Sequence, residues 1–131
     1  MKRLNRISPT AIFLFIVIIY FTGFFAHALY LKKTVYGDGV YYYSWLRSIV
    51  IDRDIRFNNE YRDLGGSQPM SKTGLIGNKY AIGPAIIWSP AFLLVHSFLH
   101  GDGYSLPYQL AVGLTSVCAS IFGLLLLWRI F

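Results

Sequence analysis

The ionisable side chain best placed to do chemistry in this sequence is Asp38, at the head of Gly37 to Arg56, GDGVYYYSWLRSIVIDRDIR. Three tyrosines, Tyr41 to Tyr43, and Trp45 follow it, and a long apolar run ends only a few residues before it. A carboxylate at that exit stands where water, lipid headgroups and protein meet. If ionised and within reach, it can take the proton from an attacking hydroxyl. If it also caps a helix beginning near Gly39, the free backbone N–H groups and the helix dipole favour its charged form. Capping alone is the simpler reading of Asp38, and the two roles are compatible.

The other candidates are weaker on spacing alone. Asp52-Arg53-Asp54 offers two carboxylates at a separation able to hold a cation, but local salt bridging and helix termination explain them adequately. Glu60 reads as a member of a polar cluster or a solvated side chain. His96 and His100 stand one helical turn apart without an evident third ligand, so no metal site is expected and an interfacial role suits them better. Tyr41 to Tyr43 have faces that could stack on a sugar, though an aromatic belt at headgroup depth accounts for them more simply. Cys118 is the single cysteine, which excludes an intrachain disulfide and a cysteine-rich metal framework.

The elements that must position these residues belong to a membrane. Hydrophobic residues make up 55% of the chain and charged ones 14%, and the mean hydropathy is +0.48. The net charge of +6 is spread along the sequence rather than gathered into a face, so membrane lipids or a phosphate-bearing substrate are expected as partners and nucleic acid is not. Residues 1–10 form a basic start with Lys2, Arg3 and Arg6, read as cytoplasmic, with Ser8 or Thr10 placed to cap the start of a helix. Residues 11–31 match the thickness of a bilayer core and form the first transmembrane helix. Ala26-His27-Ala28 gives this region some likeness to a cleavable signal peptide, but the apolar run continues through Leu31, which favours an uncleaved anchor.

Residues 106–131 form a second transmembrane helix, apolar on every face, with Gly113, Ser116, Ala119, Ser120 and Gly123 small enough for close packing on another helix. Between them lies a long external loop, 32–105, with interfacial helices near 39–51 and 82–99. In the first, Tyr42, Trp45, Leu46 and Ile49 make the apolar stripe, opposite Tyr43, Ser44, Arg47 and Ser48; beyond Asp52 the chain reads as loop. The second is interrupted by Gly83, Pro84 and Pro90. The expected fold is therefore an all-α integral membrane protein with two transmembrane helices, and with three if 82–99 crosses the bilayer. Two crossings put Arg129 on the side of Lys2, Arg3 and Arg6, as the positive-inside tendency asks, although the many basic residues of the loop pull the other way.

On these residues the chain resembles the membrane-embedded GT-C glycosyltransferases, in particular the protein O-mannosyltransferases and the lipid A aminoarabinose transferases. Asp38, Tyr42 and Arg47 stand at the spacing of the family's first-loop Asp-Glu, Tyr and Arg pattern, with Gly39 in place of the second acid. Asn78-Lys79-Tyr80-Ala81-Ile82-Gly83-Pro84, followed by Trp88, resembles its second-loop Lys-Pro-Pro segment, without the paired prolines. The likeness extends over most of the chain and implies the N-terminal part of a longer, multi-helix enzyme of the plasma (inner) membrane. Its site would lie on the extracytoplasmic face. It further implies a polyprenyl-phosphate-linked sugar as donor, an unknown acceptor hydroxyl or amine, inversion at the sugar carbon and no cofactor. Asp38 would be the general base, Tyr42 a substrate contact, and Arg47 and Lys79 the cations that bind the donor phosphate. Lipid-facing snorkelling is the ordinary alternative for both cations, and a small non-catalytic membrane interaction protein is the alternative for the whole chain.

Overall fold

A computed structural model describes residues 8–130, and every regular element among them is helical. Helix α1 spans Pro9–Leu31, α2 Gly39–Arg47, α3 Asn58–Leu64, α4 Gly83–Leu99 and α5 Leu106–Ile130. A π-helical turn, Ser48–Asp52, prolongs α2. Of the expected caps of α1, Ser8 sits at the N-cap without a side-chain cap bond, and Pro9 supplies a preset φ at the first turn, where its missing N–H costs nothing.

Among the described residues only α1 and α5 are long and apolar enough to cross a bilayer. Their surfaces suit lipid, since α1 buries a single residue, Ala28, while Phe15 and Ile18 are more than 60% exposed. Phe13 near the start of α1 packs edge-on against Trp128 near the end of α5, with ring centroids 4.9 Å apart. Towards the other end, a Cβ added to Gly113 would lie 2.8 Å from the Phe24 ring. These two contacts make the helices antiparallel, so the start of α1 and the end of α5 lie at one end of the hairpin. Gly113 is thus one small residue whose lack of a side chain admits a neighbour. Gly123 has open space around it.

The connection between α1 and α5 is folded, not extended. Gln109 joins its two ends: its Oε1 accepts from Thr34 N and Val35 N at 3.1 Å each, and its Nε2 donates to Tyr104 O at 2.7 Å. Helix α4 packs along the first turns of α5, with Trp88 Nε1 donating to Ser116 Oγ at 2.9 Å and Phe92 against Tyr108 at 5.0 Å. At 17 residues it is about 25 Å long, short of the roughly 30 Å hydrocarbon core. The core between α2, α3, α4 and α5 is aromatic, built on Tyr43, Phe57, Tyr61, Phe92 and Tyr108.

The loop departs from expectation in two places. The segment after Asp52 contains α3, ended by Gly65 in the left-handed region at φ +84°; seven residues are too few for periodicity to announce a helix. And α2 buries the face expected to be outward: Tyr43, Ser44, Arg47 and Ser48 are inside, whereas of the expected apolar stripe Leu46 is buried, Tyr42 and Trp45 are half-buried and Ile49 is exposed. Polar burial is possible because each group is satisfied, Ser44 Oγ donating to Val40 O and Ser48 Oγ to Asp54 Oδ1.

Candidate functional site

The Arg47 guanidinium is held within the fold through its Nε and Nη1. Its Nε donates to Asp102 O at 2.7 Å, and its Nη1 bonds Asp52 Oδ2 at 2.5 Å and Glu60 Oε1 at 2.7 Å. Its Cζ lies 3.9 Å from the Tyr104 ring centroid, and the side chain is 6% exposed. Along a continuous α-helix a residue five positions on would point about 140° away; the wider π turn brings Asp52 round to its partner. In this geometry the Nε and Nη1 that a phosphate would use are already bonded to two carboxylates and a carbonyl. Burial pushes the Glu60 carboxyl above its ordinary range, against the opposing hydrogen bond from Arg47, and pushes the phenols of Tyr43 and Tyr104 well above theirs.

The remaining acids divide between separate networks. Asp52 also accepts from Asn59 Nδ2 at 2.6 Å, while Asp54 takes Ser48 Oγ and the Arg56 N–H at 2.9 and 3.0 Å. The two carboxylates of Asp52-Arg53-Asp54 therefore do not converge. His96 Nδ1 pairs with Tyr108 Oη at 2.9 Å, which gives it a place in the corner between α4 and α5.

Asp38 stands in a different setting. It occupies the N-cap position of α2 but makes no side-chain cap bond; Gly39 N and Val40 N are satisfied by Tyr36 O and Gly37 O in a tight entry turn. Capping by the carboxylate, expected from sequence, is replaced by a longer-range contact. Tyr80 Oη donates to Asp38 Oδ1 at 2.8 Å, and no other described residue donates to this exposed carboxylate. The partnership with Asp38 raises the Tyr80 phenol above its ordinary value.

Three of the residues singled out in the sequence meet around the Tyr80 ring. Asp38 takes its hydroxyl, Tyr42 packs edge-on at 5.4 Å, and Lys79 carries its Nζ 5.5 Å from the ring centroid. Tyr80 itself is missing from the sequence-derived candidates. Its adjacency to Lys79 within the segment Asn78 to Pro84 was the available signal.

Asp38 follows the end of α1, and its neighbour Gly39 reaches back along the long helices. Gly39 lines a cleft of about 250 Å³ with Phe24 of α1, Trp88 of α4 and Ser116 of α5. Ser116 is ten residues into α5, or about 15 Å along it. A second cleft of about 370 Å³, lined by Tyr36, Lys33, His27 and apolar residues of α1, shares Tyr20, Phe24, Thr34 and Val117 with the first. Tyr36 and Gly39, on either side of Asp38 in the chain, thus line two adjoining grooves along the apolar helices. Comparison of the chain with protein-family models, curated proteins and solved structures returns no match.

Proposed function

We propose that the chain is the N-terminal part of a membrane glycosyltransferase that moves a sugar from a polyprenyl-phosphate donor to an acceptor hydroxyl or amine, with Asp38 as general base. The observation that carries the reading is an open carboxylate, oriented by a phenol, on a turn whose Tyr36 and Gly39 line two adjoining apolar clefts along bilayer-length helices. A donor whose chain lies in lipid and whose headgroup emerges beside a carboxylate needs that juxtaposition.

In the step itself, Asp38 takes the acceptor proton as the acceptor atom bonds the sugar C1. The bond from C1 to the donor phosphate oxygen breaks, and the lipid phosphate leaves with the electron pair. Attack opposite the leaving phosphate inverts C1. Lys79, exposed and close to Tyr80, is the cation left to steady that phosphate, and Tyr42 offers a half-buried ring to the sugar. The buried Arg47 network frames the loop and takes no part.

In this reading α1 and α5 cross the membrane as an antiparallel pair, with 32–105 on the extracytoplasmic face and the short α4 lying within that assembly. Single cysteines at Ser71 and Ser105, in a Cys118→Ser background, are expected to react with an impermeant thiol reagent from the same, outer side of intact cells; labelling from opposite sides removes the two-crossing arrangement. For activity, membranes holding the full-length protein are expected to release labelled sugar from a panel of polyprenyl-phosphate-linked hexoses and pentoses. The competing reading, a non-catalytic membrane interaction protein, draws on the exposed apolar faces of α1, α4 and α5 and requires that no member of the panel be consumed.

A further inference from the structure

We infer that Tyr80 is a positioning residue for Asp38, fixing which carboxylate oxygen faces the acceptor; this rests on the transferase reading. An exposed aspartate on a turn rotates freely about its side-chain bonds, and a base must lie within hydrogen-bond reach of the proton it takes. Tyr80 supplies the missing constraint. Its hydroxyl holds Oδ1 at 2.8 Å, leaving the lone pairs of Oδ2 as the open acceptor positions.

The phenol can do this because its own ring is held on several sides. It stacks on Tyr41 with centroids 4.5 Å apart and planes 2° from parallel, and Tyr42 closes on it edge-first. Its backbone is tied as well: Trp45 Nε1 donates to Tyr80 O at 2.9 Å, Tyr80 N donates to Asn78 Oδ1 at 3.1 Å, and Asn78 Nδ2 reaches Tyr41 O at 2.6 Å. Every one of these ties runs to α2 or to the segment just before α4. The loop that carries Lys79 is thereby locked to the helix that carries Asp38, and Tyr80 is the link between them. A base oriented by a third group that never touches the reacting atoms is the general logic of such sites.

The test uses the full-length protein in its membrane. Tyr80→Phe keeps the ring and its stacking and removes only the hydroxyl. With whichever polyprenyl-phosphate sugar the panel identifies as donor, it is expected to lower kcat about tenfold while leaving KM for the donor within about twofold. An unchanged kcat, or a loss confined to KM, overturns the positioning role.

A second readout needs no turnover. Tetranitromethane reacts with phenolate, so Asp38→Asn, which removes the negative partner that raises the Tyr80 phenol, is expected to speed nitration of Tyr80 several-fold at a fixed mildly alkaline pH. Nitration at the wild-type rate removes the contact itself. If Asp38→Asn turns over normally the transferase reading fails; if Asp38→Asn is dead while Tyr80→Phe is fully active, only the positioning role of Tyr80 fails.

Discussion

Two polar clusters lie about one helix apart on α2, and they are built to opposite specifications. Arg47 meets Asp52, Glu60 and Asp102 O inside the protein, with Glu60 completely shielded from solvent. Asp38 meets one phenol at the surface and keeps an open side. A guanidinium bonded to two carboxylates and a carbonyl inside the fold holds a loop together and has little left to offer a ligand. A carboxylate with one oxygen pinned and the other open can accept a proton. The contrast separates residues that fold this loop from residues available for chemistry, although both kinds sit in the same short stretch of sequence.

Removing the Arg47 guanidinium should break the comparison most violently. Arg47→Ala leaves Glu60 buried beside no counter-charge, and a loss of about 3–5 kcal/mol is expected, read as a lower thermal midpoint in detergent. A drop of about 0.5 kcal/mol or less would mean that the network is no more than a surface decoration.

Gly103 sharpens the point from the other side of the cluster. It sits at φ +82°, and a Cβ there would lie 2.7 Å from Ile51 Cδ1 and 3.1 Å from Arg47 Cγ. Gly103→Ala should cost about 1–3 kcal/mol through left-handed strain and crowding, measured in the same melting experiment. Wild-type stability in that variant would show that the 100–105 turn is not clamped on α2.

The smallest effect belongs to Asp54, whose carboxyl is held below its ordinary value by the Arg56 N–H and by Ser48 Oγ. A lowered folded-state value stabilises the fold above the unfolded value and loses that contribution as pH falls through the folded one. The stability gap between wild type and Asp54→Asn should therefore close as pH is lowered from about 5 to about 2. With Asp54 exposed, the gap is worth only a few tenths of a kcal/mol, or about 0.3. A gap that widens on acidification would reverse the assignment.

Much of the frame was legible because it rests on length and composition. A run as apolar as Ala11 to Leu31 keeps its helical character whatever packs against it, and α2 and α4 begin within a residue of the expected 39 and 82. What was not legible depends on contacts between distant residues. The inward turn of Arg47 needs Glu60 thirteen residues on and a carbonyl fifty-five residues on, so a periodic pattern of side chains assigned it to the wrong face. Tyr80 reaches Asp38 across forty-two residues, and nothing local to Asp38 distinguishes a phenol partner from a capped backbone. The resemblance to the GT-C enzymes drew attention to Asp38, Tyr42 and Lys79, which do gather around one ring. It drew equal attention to Arg47, which does not.

The central claim is that Asp38 is a base and not a structural residue, and transfer by full-length Asp38→Asn tests it most directly. The substitution keeps size and the Tyr80 partner while removing the negative charge. Transfer from the polyprenyl-phosphate donor is expected to fall at least about a hundredfold, with membrane insertion and melting temperature unchanged. Wild-type turnover in that variant would contradict the account.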